Sequence, residues 1–225
     1  MLRNLRVLAL ALTMAVALSA TALANFDSEV EVTKLSGGQS TTHEFTVAAG
    51  STTCEEASFP GESIGVLSGG AYTISELIIK PVYSKCFTVV LGEKRVLDLN
   101  MNGCDYLFKS GATTESGTKV HGTVDVVCPA GQSIDIQITG AEICTVRVPA
   151  QTAVAGITYH NIGTESERDV VTTTSISTLE YTQHGFLCPG NSFSSTKTFK
   201  NGKYIGTTTE IGKNGAGNQV GIWVT

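Results

Sequence analysis

The sequence predicts an all-β, disulfide-stapled antiparallel β-sandwich, extended or built as two packed β subdomains. Three observations carry this. Period-two alternation recurs in short runs of Val, Ile, Thr, Tyr and Phe; Gly, Asn and Ser punctuate those runs; and helical periodicity is absent after the first two dozen residues. Such alternation buries one face of each strand and leaves the other wet. Six cysteines, Cys54, Cys86, Cys104, Cys128, Cys144 and Cys188, supply the staples.

The chain opens like a signal peptide over residues 1–24. Arg3 and Arg6 precede an apolar stretch from Val7 to Leu18, and Ala22-Leu23-Ala24 forms a small-residue cleavage site. That stretch is shorter than the roughly 20 residues that span a bilayer, and no later apolar run approaches that length. The mature chain is therefore expected to begin at Asn25, to contain no transmembrane segment, and to be secreted or extracellular, including a cell-envelope location. Losing Arg3 and Arg6 moves the balance from 15 basic and 20 acidic residues to 13 and 20. This excess of acid argues against nucleic acid as a partner, since that needs clustered Lys and Arg.

Strands are expected near residues 26–33, 41–48, 51–59, 72–79 and 82–91, with Leu35-Ser-Gly-Gly and Leu67-Ser-Gly-Gly as two similar turns. Gly92 and Glu93 mark the point where residues 25–225, read as one domain, would subdivide. Over 94–101, Leu97, Leu99 and Met101 face inward and Asp98 and Asn100 outward, with Asn102-Gly103 as the turn. Strands 104–109 and 120–128 follow, then 132–139, where Ile134, Ile136 and Ile138 oppose Asp135 and Gln137. The series ends with 142–148, 153–161, 169–183, 203–211 and 218–224.

An even number of cysteines behind an export signal reads as a disulfide framework. Cys104 lies on the face of Tyr106 and Phe108, and Cys128 on that of Val124 and Val126. An antiparallel hairpin folded about residue 116 places the two directly opposite. The same logic pairs Cys54 with Cys86 across a hairpin closed by a loop from Gly61 to Tyr72, which leaves Cys144 for Cys188. Sequence alone leaves the other connectivities open. No two cysteines have the close spacing that puts two thiolates on one zinc ion, so no metal site is expected, and no cofactor.

Several motifs tempt. Gly61-Glu-Ser-Ile-Gly65 matches a nucleophile elbow, which would make Ser63 the nucleophile of a secreted hydrolase, but no helix-period segment follows it. Asp98 to Gly103 fits the first half of a calcium loop, yet its twelfth position is Lys109, where a carboxylate belongs. Leu35-Ser-Gly-Gly-Gln39 spells the transporter-ATPase signature without a P-loop. His43, His121, His160 and His184 are scattered. In the last hairpin, Val220, Ile222 and Val224 share one face, while Trp223 would lie opposite Gly206 with Tyr204 beside it. Two readings follow: the indole covers a strand glycine, or Tyr204 and Trp223 form a candidate binding face for a sugar ring or a protein.

The runs Met101-Asn-Gly-Cys-Asp-Tyr-Leu-Phe108, Val124-Asp-Val-Val-Cys-Pro-Ala-Gly131, Cys144-Thr-Val-Arg-Val148, Arg168-Asp-Val-Val171, Tyr181-Thr-Gln-His-Gly185 and Val220-Gly-Ile-Trp-Val224 resemble a group of uncharacterised secreted six-cysteine proteins of high-GC Gram-positive bacteria. The resemblance covers nearly all of the chain after the leader. It implies no particular activity and carries over no functional residue. The expectation is a non-enzymatic secreted or envelope-associated module with a structural or binding role, its partner a cell-wall polysaccharide or a protein surface. A serine hydrolase using Ser63 and an exported protein inhibitor are the alternatives.

Overall fold

The computed structural model describes residues 24–68, 70–90, 92–113, 119–138, 144–164, 167–185, 188 and 196–225, and forms sixteen strands joined in one antiparallel sheet. The fold is all-β as expected. Among the described residues no helix is long and apolar enough to cross a membrane. The expected leader lies outside the described residues except for Ala24, which is buried with its N–H on the Gly111 carbonyl. The turn expected about residue 116 also lies outside them.

Three long strands organise the sheet: β4 (Gly50–Ser68), β13 (Asp169–His184) and β14 (Lys197–Lys213). One end of each joins a ring completed by β3 (His43–Val47), β6 (Val82–Val90), β7 (Glu93–Asn100), β10 (Ile134–Ile138) and β11 (Thr145–Val148). The other end joins a second ring with β2 (Lys34–Gln39), β5 (Ala71–Ile79), β8 (Asp105–Thr113), β9 (Lys119–Val127) and β12 (Gln151–Ile162). Each ring closes because β13 pairs with β14, and because β4 pairs with β6 at one end and β5 at the other. Every strand of both rings is thus hydrogen-bonded on two sides, which removes the free edges that invite strand addition. Gly92 and Glu93 lie in the β6–β7 hairpin, where pairing continues up to Val90 and Glu93.

Three short strands complete the ladder. β1 (Phe26–Ser28) pairs with β5 and with β16 (Trp223–Val224), and β15 (Gln219–Val220) extends β14. The Asn161 amide serves as a substitute strand for Val224: Nδ2 donates to its carbonyl and Oδ1 accepts from its N–H, both at 2.8 Å.

The inward residues of both rings merge into one core, with Phe26, Ile74, Leu77, Ile157, Tyr159 and Ile222 essentially inaccessible. Burying each such side chain contributes about 1.5–3 kcal/mol relative to exposure. Phe26 meets the Tyr159 ring edge to face at 4.9 Å between centroids. On β9, Asp125 accepts from Lys109 Nζ at 2.7 Å and from the Ala153 N–H at 2.7 Å. The second contact pins a bulge in β12, where Ala153 has φ 54°.

The disulfides join Cys54 to Cys86, Cys104 to Cys128 and Cys144 to Cys188. Cys104 and Cys128 sit one step beyond the Asp105–Val127 pair, in the register of a hairpin folded about residue 116. Cys54 faces Cys86 across the expected hairpin, which closes with a much shorter turn than expected. Residues 61–68 are strand rather than loop and pair with β5, and beyond Lys80 and Pro81 the chain continues as β6 along the same flank of β4. The two Leu-Ser-Gly-Gly runs also diverge. In the second, Leu67 and Ser68 end β4 and Gly70 has φ 90°, whereas the first belongs to β2, between β4 and β14.

Candidate functional site

Two sites meet at Gly206 of β14, one inside the sheet and one outside. Even-numbered residues of β14 from Tyr204 to Gly212 face inward, and odd-numbered ones face outward. On β13 the corresponding inward residues are Val170, Thr172, Thr174 and Ile176.

The inner site is a chain of hydroxyls ending on an imidazole. His43 Nδ1 and the Tyr204 hydroxyl lie 2.6 Å apart, Tyr204 and Tyr83 share a hydrogen bond of 2.6 Å, and Tyr83 donates to Tyr106 at 3.3 Å. His43 reaches this place because alternation along β3 turns it inward with Phe45, and because Gly206 has no side chain. A β-carbon on Gly206 would sit 2.3 Å from the ring. Burial lowers the His43 pKa to about 4, against a smaller upward pull from the Thr207 backbone. Burial also raises Tyr83 and Tyr204 well above the usual phenol range, and Tyr106 to about 12. All four groups are therefore neutral at physiological pH. The cavity beside them holds about 50 Å³, room for a few water molecules and not for an organic substrate. This arrangement is a polar core with no reachable nucleophile.

Further along the same inner face lies Glu210, directly opposite Gly37 of β2. Its carboxyl occupies the space a Gly37 side chain would fill, 2.4 Å from an ideal β-carbon there. Burial pushes its pKa up to about 8. Buried side-chain atoms without a hydrogen-bond partner among the described residues include His43 Nε2 and Glu210 Oε2.

The outer site is an open groove of about 530 Å³, lined by Thr41, Thr42, Glu44, Thr173, Thr174, Ser175, Ile205, Gly206 and Thr207. Its floor is the paired outer faces of β13 and β14. Thr173 stands between Thr158 and Thr207 in register, making a row of threonines across three strands. The β2–β3 turn forms one wall: the Ser40 and Thr41 N–H groups donate to the Thr207 carbonyl, and Thr41 Oγ1 accepts from the Thr207 N–H. Glu44 is opposite Ile205, an apolar residue 48% exposed. This volume lies within the range of small-ligand clefts.

The structure separates the expected Tyr204–Trp223 face. The β14–β15 hairpin pairs Gly212 with Val220, and the chain then leaves for β1, so Trp223 faces Asp27 and not Gly206. Tyr204 points its hydroxyl inward. Trp223 is partly exposed and packs against the Arg168 guanidinium, 5.1 Å from its ring centre. Ile222 and Val224 are buried as alternation required.

Ser63 lies mid-strand in β4 opposite Leu77, and its hydroxyl donates to the Val32 carbonyl at 2.5 Å. That is neither the strained turn nor the base contact a serine nucleophile needs. Asp98 to Asn100 end β7, Asn100 Oδ1 accepts from the Asn102 N–H, and Asn102 and Gly103 have φ 49° and 77°, as the strand-and-turn reading requires. Among the described residues no group of acidic, His or Cys side chains could hold a metal ion. His121, His160 and His184 are exposed.

Fold and sites together define a disulfide-stapled, closed-ladder β protein with a polar core and a hydroxyl-lined surface groove. No family model matches the chain, and no curated protein or solved structure is significantly similar to it.

Proposed function

We propose that this chain is an exported protein of the extracellular space or cell envelope that binds a partner rather than catalyses a reaction, with the groove over Gly206 as its binding site. The groove carries the reading. It is the larger of the two sites, it opens to solvent, and its walls offer hydroxyls and a carboxylate, with no His, Lys or Cys among its lining residues. Three disulfides, typical of extracellular proteins, and the signal-like leader support the location.

The test is expression with the leader in a secreting host, followed by incubation of the purified labelled protein with isolated cell envelopes. The expected result is an extracellular product that lacks the leader and free thiols and is retained by envelopes, with retention lost in Thr173→Arg. A product that stays inside the cell, or equal retention of the two proteins, would overturn the proposal.

A further inference from the structure

We infer that the groove over Gly206 takes a neutral, hydroxyl-rich chain, a glycan by class, laid across the outer faces of β13 and β14. This rests on the binding role proposed above and adds the ligand's chemistry.

Chemistry excludes the other polymers in turn. An extended peptide gains affinity by adding a strand to a free sheet edge. Here the backbone is already committed: Thr173 is paired with Thr158 and Thr207, and Ile205 with Glu44 and Ser175. A nucleic acid or an acidic polysaccharide needs cations. No Lys or Arg lines the groove, and Glu44 would repel phosphate or uronate.

What the groove presents instead is a set of hydroxyls on Thr41, Thr42, Thr173, Ser175 and Thr207. Each hydroxyl donates one hydrogen bond and accepts others, so it matches the hydroxyls of a sugar in either sense. Cross-strand spacing sets Thr158, Thr173 and Thr207 about 4.8 Å apart from one strand to the next, a regular row and not a single point of contact. Ile205 offers an apolar spot for the C–H face of a sugar ring, and Glu44 accepts hydrogen bonds from its hydroxyls. The site is stiff, because its floor is doubly paired strand and its wall is tied down at Thr207. Little ordering then remains to be done on binding.

Native gels containing dextran, laminarin or mannan, with polygalacturonate as the anionic comparison, test the inference by the retardation of the folded protein. Retardation by at least one neutral polymer and not by polygalacturonate is expected. Thr173→Arg should abolish it, Thr207→Val should weaken it several-fold, and Lys80→Gln, away from the groove, should leave it unchanged. Far-UV circular dichroism and the melting midpoint identify variants that fold. Retardation by none of the neutral polymers overturns the inference. If, in that case, polygalacturonate or a selected peptide binds and Thr173→Arg blocks it, the binding role survives without the glycan; if no probe depends on the groove, both fall.

Discussion

Glu210 and His43 are each buried in uncharged form over a glycine of a neighbouring or paired strand, Gly37 for the first and Gly206 for the second. Their pKa shifts have opposite consequences. Glu210 holds its proton more tightly folded than unfolded, its pKa raised from 4.5 to about 8, so its contribution is complete below 4.5 and is lost as pH rises towards 8. His43 holds its proton less tightly folded, its pKa lowered from 6.5 to about 4, so its contribution is complete above 6.5 and is lost as pH falls towards 4. Between about 4.5 and 6.5 the two slopes cancel. Thermal melts should therefore show a plateau in that window and a falling midpoint from 6.5 to 8. Glu210→Gln should remove the alkaline fall, and a wild-type midpoint that stays constant up to pH 8 would contradict the assignment. His43 went unread among four scattered histidines, although alternation with Phe45 turns it inward. Its role was not legible, because the hydroxyls it meets come from residues 83, 106 and 204, which only the closed ladder brings together.

At the scale of strands, the recurring device is a ring laid over a glycine on the next strand. Tyr159 covers Gly122, Tyr72 covers Gly65 and Tyr181 covers Gly202, each with the ring's residue two places along from the glycine's direct partner. Aromatic cover of strand glycines was the right principle applied to the wrong pair, since Trp223 and Gly206 turn out to be far apart in register. A β-carbon at Gly122 would lie 2.2 Å from the Lys109 carbonyl oxygen and 2.4 Å from the Tyr159 ring. Backbone cannot yield as a flexible side chain does. Gly122→Ala is expected to cost about 1–3 kcal/mol, seen as a drop of several degrees in the melting midpoint. Gly38→Ala, with nothing near its added carbon, is the control that should stay close to wild type. The strands themselves were largely legible from alternation, and the Cys104–Cys128 register followed from the same count. Strand β2 was not, because Leu-Ser-Gly-Gly has the composition of a turn and becomes a strand only because Glu210 needs the room above Gly37.

Across the whole molecule, two rings share three long strands, and no local signal in the sequence announces the sharing. A 19-residue strand that changes partners midway, from β6 to β5, looks in sequence like one strand and a loop. The all-β class was therefore readable and the closure was not, since closure depends on pairings between segments far apart in the chain. The closing strand should matter in proportion. Truncation before Ile222 removes two buried side chains and the cover on β1, and is expected to destabilise the protein by several kcal/mol, measurable by chemical denaturation. A truncated chain as stable as the full one would show that β16 is dispensable.

The pairing of Phe26 with Val224 also sets a timetable. In a chain delivered from its N-terminus β1 emerges long before its partner β16, so it must wait with one side open while the strands between them are made. That last pairing forms slowly, as its sequence separation dictates. In the export proposed above, that delay would leave the chain open enough to be threaded through a membrane pore.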